Sequence, residues 1–194
     1  MTMDTWRRLD NVGSGESMTF IETAEETGDR RLVMVVEVQP GAGPVLHSHA
    51  QEEVFELVSG EIEIRHGRMR RLLEQGESLR VPGGDLHCFS NTGTEVGEVK
   101  VTVVPPIHFE RTMRVLTGLA RDGRLGAMGE RPPEPALIAA LCRTADFYMP
   151  PTPRLVWNLM NAVLAPFGQR AYREAIEKYD RPRPSPGERV GELA

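Results

Sequence analysis

The chain has 194 residues, 40% of them hydrophobic, and a formal net charge of −5. That length holds one domain with a real core, or one domain and an appendage. Mild acidity and scattered Arg and Lys exclude a basic stripe for nucleic acid and a surface drawn to anionic lipid.

Residues 1–16 read as an N-terminal arm, and residues 17–106 as strands and turns. Segments 17–23 and 31–38 are rich in β-branched and apolar residues, with Thr27, Gly28 and Asp29 turning between them. Segment 54–58 runs to Ser59 and Gly60, after which 61–65 alternates polar and apolar residues, the sign of a half-buried strand. His66 and Gly67 turn into 68–74, and Gln75, Gly76 and Glu77 turn into 79–81. Pro82 to Asp85 turns again, and 86–90 and 95–104 complete the set. Short strands at such close spacing predict a sandwich, a barrel or a jelly roll, not a βαβ fold. A closed barrel also hides strand edges.

After Pro105 and Pro106 the hydrophobic period lengthens toward 3.6, and residues 107–180 read as a helical extension. The spacing of Phe109, Met113, Leu116 and Ala120 predicts a helix over 108–121. Gly123 and the segment from Gly126 to Gly129 break it, and proline pairs at 132–133 and 150–151 bracket a second helix over 134–147. Thr152 and Pro153 open a third over 154–165, and a fourth spans 170–179. Residues 155–164 are apolar on more than one face, which predicts burial against the barrel or a dimer partner. The other readings are a lid that brings Trp157 and Met160 to a ligand, and a lipid-facing surface. Residues 181–194 are Pro-rich and polar and read as a flexible tail.

Three of the five histidines fall in two clusters. In a strand, residues i and i+2 share a side, so His47 and His49 aim two imidazoles at one place. The chain then turns and Glu53 opens the next strand, pointing back to that place. The Pro82–Asp85 turn delivers His87 on another strand. Three imidazoles and a carboxylate form a set suited to one divalent transition metal ion: Fe, Mn, Ni, Co, Cu or Zn. Glu52 competes with Glu53 for the ligand role, but spacing favours Glu53. His66 and His108 have no partner at ligand spacing and read as non-ligands. Cys88 points away from His87. Phe55, Leu57 and Phe89 share the parity of the ligands and are expected to line an apolar pocket. Glu37 is either an exposed strand position or a pocket acid. Gly60, Gly76 and Gly84 read as positive-φ turn residues, and Asn91 as a partner for backbone groups near a strand end.

These two segments resemble the two motifs of the cupin superfamily. Gly41, His47, His49, Glu53 and Gly60 fill G-x5-H-x-H-x3-E-x6-G, and Gly76, Pro82, Gly84, His87 and Asn91 fill G-x5-P-x-G-x2-H-x3-N. Ten matched positions in order are far more specific than a lone glycine motif. The resemblance implies a mainly β fold, a double-stranded β-helix (jelly-roll) barrel, with one metal bound by His47, His49, Glu53 and His87. It does not reach the helical C-terminal region. It implies a metal-dependent, dioxygenase-like oxygenase acting on a small organic substrate in the barrel, with Glu53 as the candidate base. The alternatives are a metal-dependent isomerase, decarboxylase or lyase, or a non-catalytic module that binds a small ligand. A sugar-phosphate substrate would need Arg65, Arg80 and Lys100 to converge on the pocket. A homodimer is expected, with 17–23 as a strand free to pair at a sheet edge. Cys88 and Cys142 read as reduced thiols. No stretch is long enough to span a bilayer, and residues 1–17 lack the apolar run of a signal peptide, so a cytoplasmic location is expected.

Overall fold

The structure, a computed structural model, describes residues 5–10, 14–125 and 134–180. After a 3-10 turn at Thr5–Arg7 come strands β1 (Arg8–Leu9), β2 (Glu16–Glu22), β3 (Leu32–Val38), β4 (Glu52–Ser59), β5 (Ile62–His66), β6 (Met69–Leu72), β7 (Ser78–Val81), β8 (His87–Asn91) and β9 (Gly97–Val104). They form two antiparallel sheets, ordered β1-β2-β3-β9-β4-β7 and β6-β5-β8. The fold is a jelly roll followed by a helical region. Every predicted strand has its counterpart within a few residues.

Alternation builds the interior. Leu32, Met34, Val36 and Val38 of β3 and Val99, Val101 and Val103 of β9 point inward, while the residues between them are half-buried. They join Phe20, Phe55, Ile62, Ile64 and Phe89 in one apolar core. Removing these side chains from water is the main stabilising contribution. Gly60 turns β4 into β5 at φ +82°, and a Cβ there would lie 2.6 Å from the Cα of Gly97, so two strand ends meet where no larger residue fits.

One expectation about strands is corrected, and one open choice is decided. Segment 17–23 is not a free edge, because β1 pairs Arg8 with Thr19 and Leu9 with Met18. The arm therefore contributes a strand of its own. Glu37 is no pocket acid: it sits on the outer face of β3 and takes a two-point ion pair from Arg8, at 2.7 and 2.9 Å.

Three helices follow, α1 (Phe109–Arg121), α2 (Pro135–Thr144) and α3 (Arg154–Tyr179). Phe109 and Met113 of α1 pack on the barrel core, whereas Val115 and Leu119 face a second core with Leu137, Leu141, Ala165 and Tyr172. The expected third and fourth helices are one continuous helix with Pro166 inside it. Pro166 and Gly168 lie in the gap between the two expected helices. Pro166 is exposed, so water can satisfy the carbonyl that its missing N–H leaves free. Gly168 is a packing device instead, since a Cβ there would lie 1.9 Å from the carbonyl oxygen of Ala136.

The apolar stretch at 155–164 is also not buried as expected. Helix α3 buries a narrow stripe of Asn161, Ala165, Gly168, Tyr172 and Ala175. Leu155, Val156, Leu159, Met160, Val163 and Phe167 stay exposed on the opposite side, Leu155 and Phe167 at 80%. The breaks expected at 126–129 and 132–133 and the tail at 181–194 lie outside the described residues.

Candidate metal centre

The four residues singled out by spacing come together. His47 and His87 face each other across a short antiparallel bridge, with His47 N–H donating to the His87 carbonyl at 3.0 Å and His87 N–H returning the bond at 2.8 Å. The Pro82–Gly84 turn docks beneath them. Gly84 N–H donates to the His49 carbonyl at 2.7 Å, and a Cβ on Gly83 would lie 2.1 Å from the Ala50 carbonyl oxygen. That close approach explains why glycine stands there. Glu53, the second residue of β4, points inward, opposite Val81 and Val103.

All four side chains are buried. Potential ligand atoms of His47, His49 and His87 lie within 4.8 Å of one another. Glu53 Oε2 is 3.0 Å from His87 Nε2, and Oε1 is 3.5 Å from His49 Nε2. Two cis ligand atoms on a metal with bonds of about 2.1 Å lie about 3.0 Å apart. The ring tautomers suit this arrangement. His47 Nδ1 donates to the Val45 carbonyl at 2.7 Å and His87 Nδ1 to the Asp85 carbonyl at 2.8 Å, which leaves each Nε2 with its lone pair. Both ring nitrogens of His49 and Nε2 of His87 are buried without a hydrogen bond. Buried polar atoms of this kind are costly unless something binds them, and a metal ion fits the donor set.

The electrostatics reinforce that pattern. Burial, then the nearby His87, pushes His47 down to about 3, so the ring is neutral and can ligate. Burial alone would raise Glu53, but His49 and His87 outweigh it and hold the carboxyl well below its ordinary range. Burial would lower His87, and the Glu53 carboxylate reverses the direction.

Three of the four, His47, His49 and Glu53, line a cavity of about 120 Å³. The rest of its lining is mostly apolar, including Met18, Met34, Phe89, Phe109, Met113 and Phe147. An apolar cavity of about 150 Å³ holds benzene. Phe89 lines it as expected, whereas Phe55 and Leu57 lie in the core. Trp157 and Met160, which one of the readings brought to a ligand, do not line the cavity; α1 and the 145–147 segment cover it instead. Helix α2 ends at Thr144, earlier than predicted. Asp146 then turns with φ 49°, and Tyr148 pairs with Ser48 through two backbone bonds of 2.9 Å. This pairing stacks Phe147 on His47 at 4.8 Å, and Trp157 Nε1 donates to the Phe147 carbonyl at 2.9 Å. Periodicity could not show this, because 145–148 continues the apolar pattern of α2.

Sequence reasoning also missed Glu16, which lines the cavity from β2 and is 2% exposed. It fell just outside the strand predicted at 17–23. Its parity with Met18 and Phe20, both buried, was the signal that could have found it. Arg65, Arg80 and Lys100 do not converge here. Arg80 pairs with Glu52, Lys100 with Glu56, and Arg65 donates to the Gly67 carbonyl. Among the described residues no Arg or Lys lines the cavity. His66 pairs with Asp85 at 2.8 Å, and His108 precedes α1; neither joins the cluster.

Fold and cluster together define a jelly-roll protein with a histidine-rich centre open to an apolar cavity. Residues 34–105 match the family model described as a cupin domain. Comparison with curated proteins found no match. Among solved structures, the chain is similar to one described as a predicted oxalate decarboxylase from Thermotoga maritima, with 20% identity, TM-score 0.46, and 50% of this chain and 90% of that one covered. It is also similar to the polyketide cyclase RemF from Streptomyces resistomycificus, with 19% identity, TM-score 0.42, and coverage of 46% and 65%. A third is an RmlC-like cupin from Shewanella frigidimarina, with 19% identity, TM-score 0.45, and coverage of 54% and 88%.

Proposed function

We propose that the protein is a metal-dependent, dioxygenase-like oxygenase acting on a small, largely apolar organic molecule. In this reading His47, His49, Glu53 and His87 bind one divalent transition metal ion. The observation that carries it is the convergence of those four groups beside an apolar cavity that His47, His49 and Glu53 line. When bound, the metal supplies Lewis-acid or redox chemistry at its open coordination positions. The chain does the rest. The carbonyls of Val45 and Asp85 fix two imidazoles. Phe109, Met113 and Phe147 keep water from the cavity, and Glu53 is the candidate base. A lining without Arg or Lys among the described residues weighs against a phosphorylated substrate and so against a sugar-phosphate isomerase. Oxygen uptake by iron-loaded protein across a panel of small apolar substrates tests the reading. Substrate-dependent uptake that disappears in His49→Ala is expected. Iron bound without uptake across the panel would return the site to Lewis-acid chemistry or plain ligand binding.

Two further parts belong to this proposal. The unpaired thiols Cys88 and Cys142 fit a reducing compartment, hence the cytoplasm. A second copy of the chain covers the exposed stripe of α3. Its six apolar residues present roughly 750 Å², close to the share of about 800 Å² that each partner contributes to a stable interface. Light scattering on the wild type and on Leu159→Glu is the check, with a dimer expected to become a monomer. A wild-type monomer, or a dimer that survives the substitution, removes this interface.

A further inference from the structure

Glu16 stands apart from the four clustered groups. It enters the cavity from β2, on a different strand and a different wall, and it is 2% exposed. Its two oxygens are not equivalent. Ser14 Oγ donates to Oε2 at 2.8 Å, while Oε1 is buried with no hydrogen-bond partner. No cation faces it. The other titratable groups of the lining are His47, His49 and Glu53; β3, β8, β9 and α1 contribute none, and α1 offers Thr112 as a polar group. A carboxylate abandoned in such surroundings is expensive, whereas a neutral carboxylic acid with one oxygen satisfied by Ser14 can carry its proton on the other. Burial accordingly pushes the group up to about 7, with the Ser14 bond opposing.

We propose that Glu16 is a substrate-recognition residue that, as a neutral acid, donates a hydrogen bond from Oε1 to a carbonyl-type oxygen of a small, otherwise apolar ligand. The substrate class is therefore a neutral ketone, ester or similar oxygen acceptor, with its apolar body among Met18, Met34 and Phe89. The assignment rests on the cavity being the substrate site, as in the proposed function, but not on the metal. At a pH above that of its ionisation, Glu16 loses the donor and the preference for an acceptor oxygen fades. Glutamine at this position donates at every pH.

The test is binding of cyclohexanone against methylenecyclohexane, which has the same shape without the oxygen. Affinities are read by NMR chemical-shift perturbation at pH 6 and pH 8, with metal content measured in parallel. Wild type is expected to favour cyclohexanone about tenfold at pH 6, the worth of one hydrogen bond, and to lose most of that by pH 8. Glu16→Gln keeps the preference at both pH values, and Glu16→Leu abolishes it at both. Equal binding of the two probes to wild type, binding of neither, or a preference that Glu16→Leu retains would overturn the proposal. A metal-free protein that shows the expected preference would refute the metal reading and leave Glu16 standing. A protein with metal and no preference does the reverse.

Discussion

Replacing Glu16 with glutamine should make the protein more stable in alkali and almost indifferent in acid. The side chain is 2% exposed, and burial raises its carboxyl to about 7 from an ordinary 4.5. Between those values the folded state holds the proton that the unfolded state has released. More protons bound when folded means that stability falls as pH rises. The contribution is fully present below about pH 4.5 and is lost as pH climbs through about 7. Each unit of displacement corresponds to about 1.4 kcal/mol, so wild type should lose about 2–3 kcal/mol relative to Glu16→Gln between pH 5 and pH 8. Urea denaturation of both proteins at the two pH values gives this difference directly. It also cancels every other group that titrates in the window. A pH slope shared by wild type and variant would refute the reasoning, for it would mean that Glu16 reaches water.

Three substitutions probe the supports of the site. Asn91→Ala leaves the carbonyls of Val38 and Glu95 and the N–H of Gly93 without the buried amide that serves them, and should cost about 3 kcal/mol in chemical denaturation. Trp157→Phe removes the donor to the Phe147 carbonyl and should lower stability by about 1 kcal/mol. It should also broaden or shift the Phe147 ring resonances, while unchanged rings would mean that the Ser48–Tyr148 pairing alone holds the lid. Gly168→Ala pushes a Cβ into the Ala136 carbonyl, and a loss of about 2–3 kcal/mol is expected by thermal or urea unfolding.

Much of the barrel was legible because strand alternation and turn residues point the same way. The four clustered groups were legible because ligation demands fixed spacings, and those spacings survive in the chain as His47-x-His49-x3-Glu53 and a glycine-shaped turn before His87. The helical region was read less well, for reasons that lie in its packing. Pro166 and Gly168 carry strong local signals for a break, yet one faces water and the other admits a neighbouring backbone. The lid was hidden because Phe147 reaches His47 through a long-range pairing between Ser48 and Tyr148, a contact with no local pattern. Glu16 was missed by one residue at a strand boundary, where pattern is weakest. The exposed stripe of α3 illustrates the converse, since apolar residues at helical spacing do not say what covers them.

The central claim is that His47, His49, Glu53 and His87 hold a metal. Elemental analysis of protein purified without an affinity tag, beside a His47→Ala, His49→Ala double variant, tests it most directly. Close to one equivalent of a divalent transition metal is expected in the wild type and none in the folded variant. A wild type that takes up no metal even after reconstitution, or a variant that keeps its metal, would contradict it.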